Sequence, residues 1–145
     1  MSKICDAIQE KCLTFGDRII KLNDYLLEQA AKPQPSDIIH HTSRVPVHLK
    51  SVAALANQLL RSGTSIGANN AEATNAISKT DYLAKSFIAL KEARESLYWI
   101  DLLHRNHYID DKQYNSIHAD CEELVKLFVT RCKKISEELE KKKNK

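Results

Sequence analysis

Glycine and proline are scarce in this sequence, with three of each among its 145 residues. All-β folds use both residues to turn the chain every ~8–12 residues, so this composition excludes most folds of that class. No apolar run approaches the ~20 residues needed to span a bilayer, and the N-terminus has no signal-peptide core. We therefore expect a helical, soluble, cytoplasmic protein with no membrane partner.

Cysteine is also used sparingly, at four positions. Because no secretory segment is present, we expect reduced thiols rather than disulfides. Cys5 and Cys12 fall on the apolar face of the first predicted helix. We interpret both as small core residues.

Positive charge is concentrated at the C-terminus. Residues 131–145 carry a net charge of +4, whereas residues 1–130 carry −1. The near-neutral body gives no support to a broad nucleic-acid-binding surface. The candidate nucleic-acid contacts are the basic residues of the C-terminal segment: Arg131, Lys133, Lys134, Lys141, Lys142, Lys143 and Lys145. The alternative interpretation is that this segment only keeps the protein soluble.

Apolar residues recur at alternating steps of three and four, the period of helices in bundles. Four segments show this pattern, covering about 3–30, 47–77, 79–106 and the chain from Asp110 onward. Short connections join the later segments. We therefore predict one all-α domain, 1–145, folded as an antiparallel up-down-up-down four-helix bundle.

Local signals mark the boundaries of these segments. Asp110 and Gln113 resemble a capping box at the start of the fourth helix. Three prolines exclude a continuous helix over about 31–46, where we predict a long loop. At about 136–145, the Lys-rich end is predicted to fray as a basic tail.

The second segment contains two of the three glycines. Gly63 and Gly67 lie four residues apart on one helix face, and each costs a helix roughly 0.5–1 kcal/mol relative to alanine. We therefore expect another element to pack closely against this face.

The third segment places Phe87, Leu90 and Ile100 on its main apolar face and large side chains on further faces. It is predicted to have neighbours on more than one side.

A polar row runs along the second helix beside its apolar face. Its members are Gln58, Ser62, Ser65, Asn69 and Glu72. If Glu72 lies opposite Lys85, Glu92 or Glu95, it would join a buried or half-buried polar network that fixes helix register. We then expect Glu72→Ala to destabilise folding or assembly. Glu92 and Glu95 could instead act as an acid–base pair, but such i, i+3 carboxylates are usually solvated or paired with lysine.

No motif for an active site, a cofactor or a metal is present. The chain has no Gly-rich phosphate loop, CxxC pair, HExxH helix or GxSxG elbow. His40, His41 and His48 have no cysteine or carboxylate around them at the spacing of metal ligands. His104 and His107 are only two candidate ligands, which is too few for a metal site. We expect no enzymatic activity, no cofactor, no metal and no small-molecule substrate.

Three stretches of the chain carry a family resemblance. Gln58–Ala73 contains the run RSGTSIGAN, Ser78-Lys79 follows, and Ala89–Trp99 reads ALKEARESLYW. Over about residues 50–130 the chain resembles the bacterial four helix bundle protein family, also called the 23S rRNA intervening-sequence protein family. That family includes the accessory variability protein of diversity-generating retroelements.

The resemblance implies a homopentameric, barrel-like ring of four-helix protomers without known enzymatic activity. The retroelement member binds nucleic acid and its cognate reverse transcriptase. The motif residues that match are interpreted as an assembly and fold signature: Arg61, Ser62, Gly63, Ser65, Gly67, Asn69, Glu72, Glu92 and Glu95. Asn70 departs from the family pattern, which usually has an apolar residue there.

The expected function is that of a non-enzymatic homo-oligomeric scaffold or accessory protein that binds RNA. A reverse-transcriptase-type protein is a further candidate partner. The alternative is a protein-only interaction ring without nucleic-acid binding. A reverse transcriptase gene or a ribosomal RNA operon beside this gene would favour the first hypothesis.

Overall fold

The computed structural model describes residues 3–32 and 47–143. Within these ranges the chain forms four α-helices and no β-strand. The helices are α1 (Lys3–Ala31), α2 (Val47–Thr74), α3 (Lys79–Arg105) and α4 (Asp111–Lys143). The predicted all-α four-helix bundle is therefore confirmed. None of these helices is both long enough and apolar enough to cross a membrane.

Capping hydrogen bonds fix the starts of the last two helices. The Ser78 hydroxyl accepts from the backbone N–H of Asp81, 3.0 Å away, at the beginning of α3. At α4 the Asp110 carboxylate accepts from the backbone N–H of Gln113 at 2.7 Å. The Gln113 side chain in turn accepts from the backbone N–H of Asp110 at 3.0 Å. This is the capping box that the sequence predicts.

Helices that follow one another in sequence pack side by side, and α1 and α4 close the bundle with a much smaller interface. That last interface is bridged by polar groups that are exposed or half-buried. Lys11 pairs with Glu123 at 2.9 Å. Arg18 pairs with Asp120 and donates to the Ser116 hydroxyl at 2.8 Å.

The core lies between the four helices and is built from large apolar residues of each. Phe15, Leu59, Ile100 and Phe128 are all fully buried. On α3, however, the buried face is shifted from the predicted one. The residues buried there are Ser86, Ala89, Leu90, Ala93, Ser96, Ile100 and Leu103. Phe87 is 45% exposed, so its predicted place in the core is wrong.

Small residues explain the shift on α3. Alanine and serine occupy four of the seven buried positions of α3, and the Ser96 hydroxyl contacts Ser62 of α2 there, whereas the larger Phe87 is exposed. Cys12, Cys121 and Cys132 are buried free thiols. Burial raises the pKa of Cys12 to about 11 and that of Cys121 to about 12, which leaves little reactive thiolate at neutral pH.

Several predictions concern residues that lie wholly or partly outside the part of the chain that the structure describes. Of the loop predicted at about 31–46, Ala31 belongs to α1, and residues 33–46, with His40 and His41, lie outside the described residues. The side chains of Cys5 and His48 lie outside them as well. The segment predicted to fray from about residue 136 continues as helix as far as Lys143.

Candidate assembly and nucleic-acid surfaces

Gly63 and Gly67 face α1, which supplies the close neighbour that the sequence predicts. A Cβ atom added at Gly63 would lie 3.0 Å from Cγ1 of Ile19 and 3.2 Å from its Cγ2. At Gly67 an added Cβ would lie 3.3 Å from the Cβ of Cys12. Both glycines therefore permit the close approach of α1 and α2 within one chain.

The polar row of α2 follows the α2–α3 interface. The Ser62 hydroxyl is buried and accepts from the Ser96 hydroxyl at 2.9 Å. Asn69 donates to the backbone carbonyl of Ser65 in its own helix at 2.9 Å. At the exposed end of the row, Glu72 pairs with Lys85 of α3, and this hydrogen bond raises the pKa of Lys85.

The Glu72–Lys85 pair has the predicted partners but not the predicted burial, since the Glu72 side chain is 57% exposed. Exposed ion pairs contribute little to stability. We therefore expect Glu72→Ala to leave the melting temperature nearly unchanged, with an effect that disappears at high salt. Thermal unfolding at low and high ionic strength tests this expectation. A large loss of stability that persists at high salt would contradict the minor role given to this exposed ion pair.

Glu92 and Glu95 lie on α3, away from Glu72. Desolvation raises the pKa of Glu92, the neighbouring Glu95 carboxylate raises it further, and Lys91 and Arg61 oppose both effects. Glu95 accepts a hydrogen bond from the indole N–H of Trp99 at 3.1 Å. Arg61 thus lies within electrostatic reach of Glu92 across the α2–α3 pair, which links three of the motif residues.

A polar cluster that the sequence analysis missed joins all four helices around Asn70, whose side chain has no exposed surface. Its carbonyl oxygen accepts from Nη1 of Arg131 at 2.5 Å, and its amide donates to Oε1 of Gln9 at 2.5 Å. The Arg131 guanidinium also lies 5.0 Å from the ring centre of Phe128 and 5.5 Å from that of Tyr82. An asparagine is tolerated at this core position because its polar atoms are paired.

One signal in the sequence could have revealed the cluster. Arg131 follows Phe128 by three residues and precedes Ile135 by four, so it continues the apolar face of α4. Its side chain points toward the bundle instead of joining the exposed lysines of the C-terminal segment. We therefore leave Arg131 out of the candidate nucleic-acid contacts.

The remaining candidate contacts form a basic patch at the end of α4. Its members are the exposed residues Lys133, Lys134, Lys141 and Lys142. Glu137, Glu138 and Glu140 lie among them in the sequence. Glu138 pairs with Lys79 of α3, which lowers the pKa of that carboxyl. The side chains of Lys143 and Lys145 are outside the described residues. Four of the predicted cations thus stand on an ordered helix.

The comparisons with known proteins identify the family. The profile of the family described as 23S rRNA-intervening sequence protein matches residues 27–130. This chain belongs to that family. A similar solved structure is a protein with unknown function from the S23 ribosomal protein family of Bacteroides thetaiotaomicron. It shares 36% sequence identity and a TM-score of 0.73, over 90% of this chain and 98% of that chain. No curated protein matches the sequence.

The 23S rRNA-intervening sequence protein match covers most of the motif-bearing core but ends before the basic patch. Residues 133–142 lie beyond it, as does the part of α1 before residue 27. The family assignment alone therefore does not supply the role of the basic patch.

Two histidines of this family member, His104 and His118, lie beside carboxylates at the α3–α4 corner. His104 lies 2.7 Å from the Asp111 carboxylate and stacks on Tyr114 with ring centres 4.1 Å apart. His118 lies 3.7 Å from the Asp101 carboxylate. Across residues 3–32 and 47–143, no three His, Cys, Asp or Glu side chains are arranged to hold a metal ion.

Proposed function

We propose that this 23S rRNA-intervening sequence protein is a non-enzymatic, homo-oligomeric cytoplasmic scaffold that binds RNA through the basic patch of α4. The observation that carries the proposal is the placement of four exposed lysines on one ordered helix end. Lysines of this kind contact the phosphate backbone, whose charge dominates nucleic-acid affinity. A reverse-transcriptase-type protein is a further candidate partner of the same scaffold.

Self-assembly would strengthen such contacts. The protomer leaves large apolar side chains in solvent on both α1 and α3, including Leu13 and Tyr98, and surfaces of this kind favour association. We propose a ring of five copies, as the family resemblance implies. Five basic patches on one particle would gain affinity through effective concentration without any single tight contact.

The structure determines how RNA binding should be tested. Removing residues after 135 would delete Glu138, which pairs with Lys79, and Leu139, which is half-buried. Such a truncation would therefore disturb packing as well as charge. Neutralising exposed lysines changes the charge while it preserves the helix.

We expect the variant Lys133→Gln/Lys134→Gln/Lys141→Gln/Lys142→Gln to lose about tenfold or more of its RNA affinity at low salt. The slope of log affinity against log salt should fall by up to about 4, roughly one for each phosphate that a lysine no longer neutralises. Electrophoretic shift of a structured RNA at several salt concentrations measures both quantities.

A matched control removes four exposed lysines elsewhere: Lys21, Lys50, Lys112 and Lys126. Their replacement by glutamine changes the net charge equally and should leave affinity within about twofold of the original. Equal losses in the two variants would show that net charge alone matters. If the unaltered protein binds no RNA at low salt, a protein-only ring is the better description.

A further inference from the structure

Two exposed rows of side chains on opposite corners of the bundle have the same spacing and opposite charge. On α1, Leu13, Asp17, Ile20 and Asp24 follow one another at steps of four, three and four. These steps place all four side chains on one helix face. All four are exposed, Leu13 by 54% and Ile20 by 45%. We name this set the acidic row.

The second row is on α3 and consists of Phe87, Lys91, Arg94 and Tyr98. Its steps are again four, three and four. Phe87 is 45% exposed and Tyr98 is 56% exposed, and both cations between them are exposed. We name this set the basic row. Each row thus presents two apolar side chains together with two charges of one sign.

The charges of the rows are available to a partner. Among the described residues of the protomer, none of Asp17, Lys91 and Arg94 has an ion-pair partner within 4 Å. Asp24 accepts a hydrogen bond only from the adjacent Asn23 at 3.4 Å. The two charges are seven residues apart on the acidic row and three residues apart on the basic row. It is therefore their opposite sign that favours docking of one row on the other and disfavours like-charged partners.

A groove beside the acidic row can receive large side chains. It lies between α1 and α2, has a volume of about 300 Å³ and is lined mainly by small or apolar residues. Gly16, Gly67, Ala68 and Ala71 contribute to its wall. A Cβ added at Gly16 would meet no atom within 4 Å, so this part of the wall is open to a partner.

We infer that the basic row of one protomer docks on the acidic row and the adjacent groove of a second copy. The inference rests on the self-assembly proposed above and names the two surfaces that make it. Helices α1 and α3 do not contact each other in the described chain, so one protomer can engage two neighbours at once. Because the two surfaces differ, the contact is heterologous and generates a ring when the rotation closes.

Charge reversal on the full-length chain tests the docking. One variant, Asp17→Lys/Asp24→Lys, reverses the acidic row, and another, Lys91→Glu/Arg94→Glu, reverses the basic row. Each should weaken assembly by about tenfold or more in dissociation constant, because like charges then face each other. Combining all four substitutions in one chain should restore assembly. Light scattering across a dilution series measures the mass, and circular dichroism checks the helical fold.

Two further variants separate the docking from general effects of charge. Lys50→Glu/Lys112→Glu reverses two exposed lysines outside the rows and should leave the oligomer intact. Gly16→Leu introduces a side chain into the groove and should dissociate the oligomer while the protomer remains helical.

The possible results distinguish the docking from the proposed function. If the unaltered protein assembles and both row reversals assemble equally well, the docking surfaces are overturned and self-assembly stands. If the unaltered protein stays at 16.5 kDa at micromolar concentration, self-assembly and the docking are both overturned. If each row reversal alone weakens assembly and the combination of all four substitutions restores it, the docking is supported directly.

Discussion

Replacing Asn70 by leucine is expected to lower the free energy of unfolding by about 2–3 kcal/mol. The substitution keeps the approximate volume of the side chain but removes both of its hydrogen-bonding atoms. Arg131 and Gln9 then lose their common partner, and the Arg131 cation stays half-buried beside aromatic rings. An unpaired buried donor costs its full desolvation free energy.

A double-mutant cycle isolates this interaction. The variant Arg131→Met removes the charge, and the double variant Asn70→Leu/Arg131→Met replaces the pair by apolar side chains. We expect the double variant to lose less free energy of unfolding than the two single variants lose together, because neither Asn70 nor Arg131 is left without its partner. Urea unfolding followed by circular dichroism provides the free energies.

The neighbouring Asn69 is the matched control. Its side chain bonds only within its own helix, so Asn69→Leu should cost at most about 1 kcal/mol. Equal losses at positions 69 and 70 would contradict the role given to the cluster. Strictly additive effects of the Asn70 and Arg131 substitutions would contradict it as well.

Substituting alanine at two of the glycines is expected to change stability in opposite directions. At Gly63 the new methyl group would press on Ile19, which is fully buried. Overpacking of this kind costs about 1–3 kcal/mol and outweighs the 0.5–1 kcal/mol or so that alanine contributes to a helix. At Gly16 the added Cβ meets no atom within 4 Å. Gly16→Ala should therefore raise the free energy of unfolding by roughly 0.5–1 kcal/mol, because alanine favours the helix.

Chemical denaturation of the two glycine variants measures this difference. The titration should be run at two protein concentrations, because self-association makes apparent stability depend on concentration. A Gly63→Ala variant as stable as the original would show that α1 can move away from α2 without loss. Destabilisation by Gly16→Ala that persists at the lower concentration would contradict the open position of Gly16.

Features that depend on neighbouring residues in the sequence were predictable. The capping box of Asp110 and Gln113 is one example, since both partners lie within one helical turn. The close approach at Gly63 was predictable too, because a glycine inside a helix is costly without a packing reason. The identity of the partner, Ile19 of α1, required the fold.

Features that depend on distant helices were not predictable. The apolar pattern gives most weight to large side chains, so it placed Phe87 in the core, although serine and alanine occupy four of the seven buried positions of α3. Asn70 and Arg131 are 61 residues apart, and no local rule pairs them. The exposure of Glu72 likewise follows from its position at the end of the α2–α3 interface.

The small interface between α1 and α4 has a consequence for folding kinetics. The extensive contacts all join helices that are consecutive along the chain. Only four residues, 75–78, separate α2 from α3, so that hairpin can form with little loop-closure entropy. Chains dominated by such local contacts fold in microseconds to milliseconds. We therefore expect the closure of α1 against α4, which Lys11–Glu123 and Arg18–Asp120 bridge, to be the last step of folding.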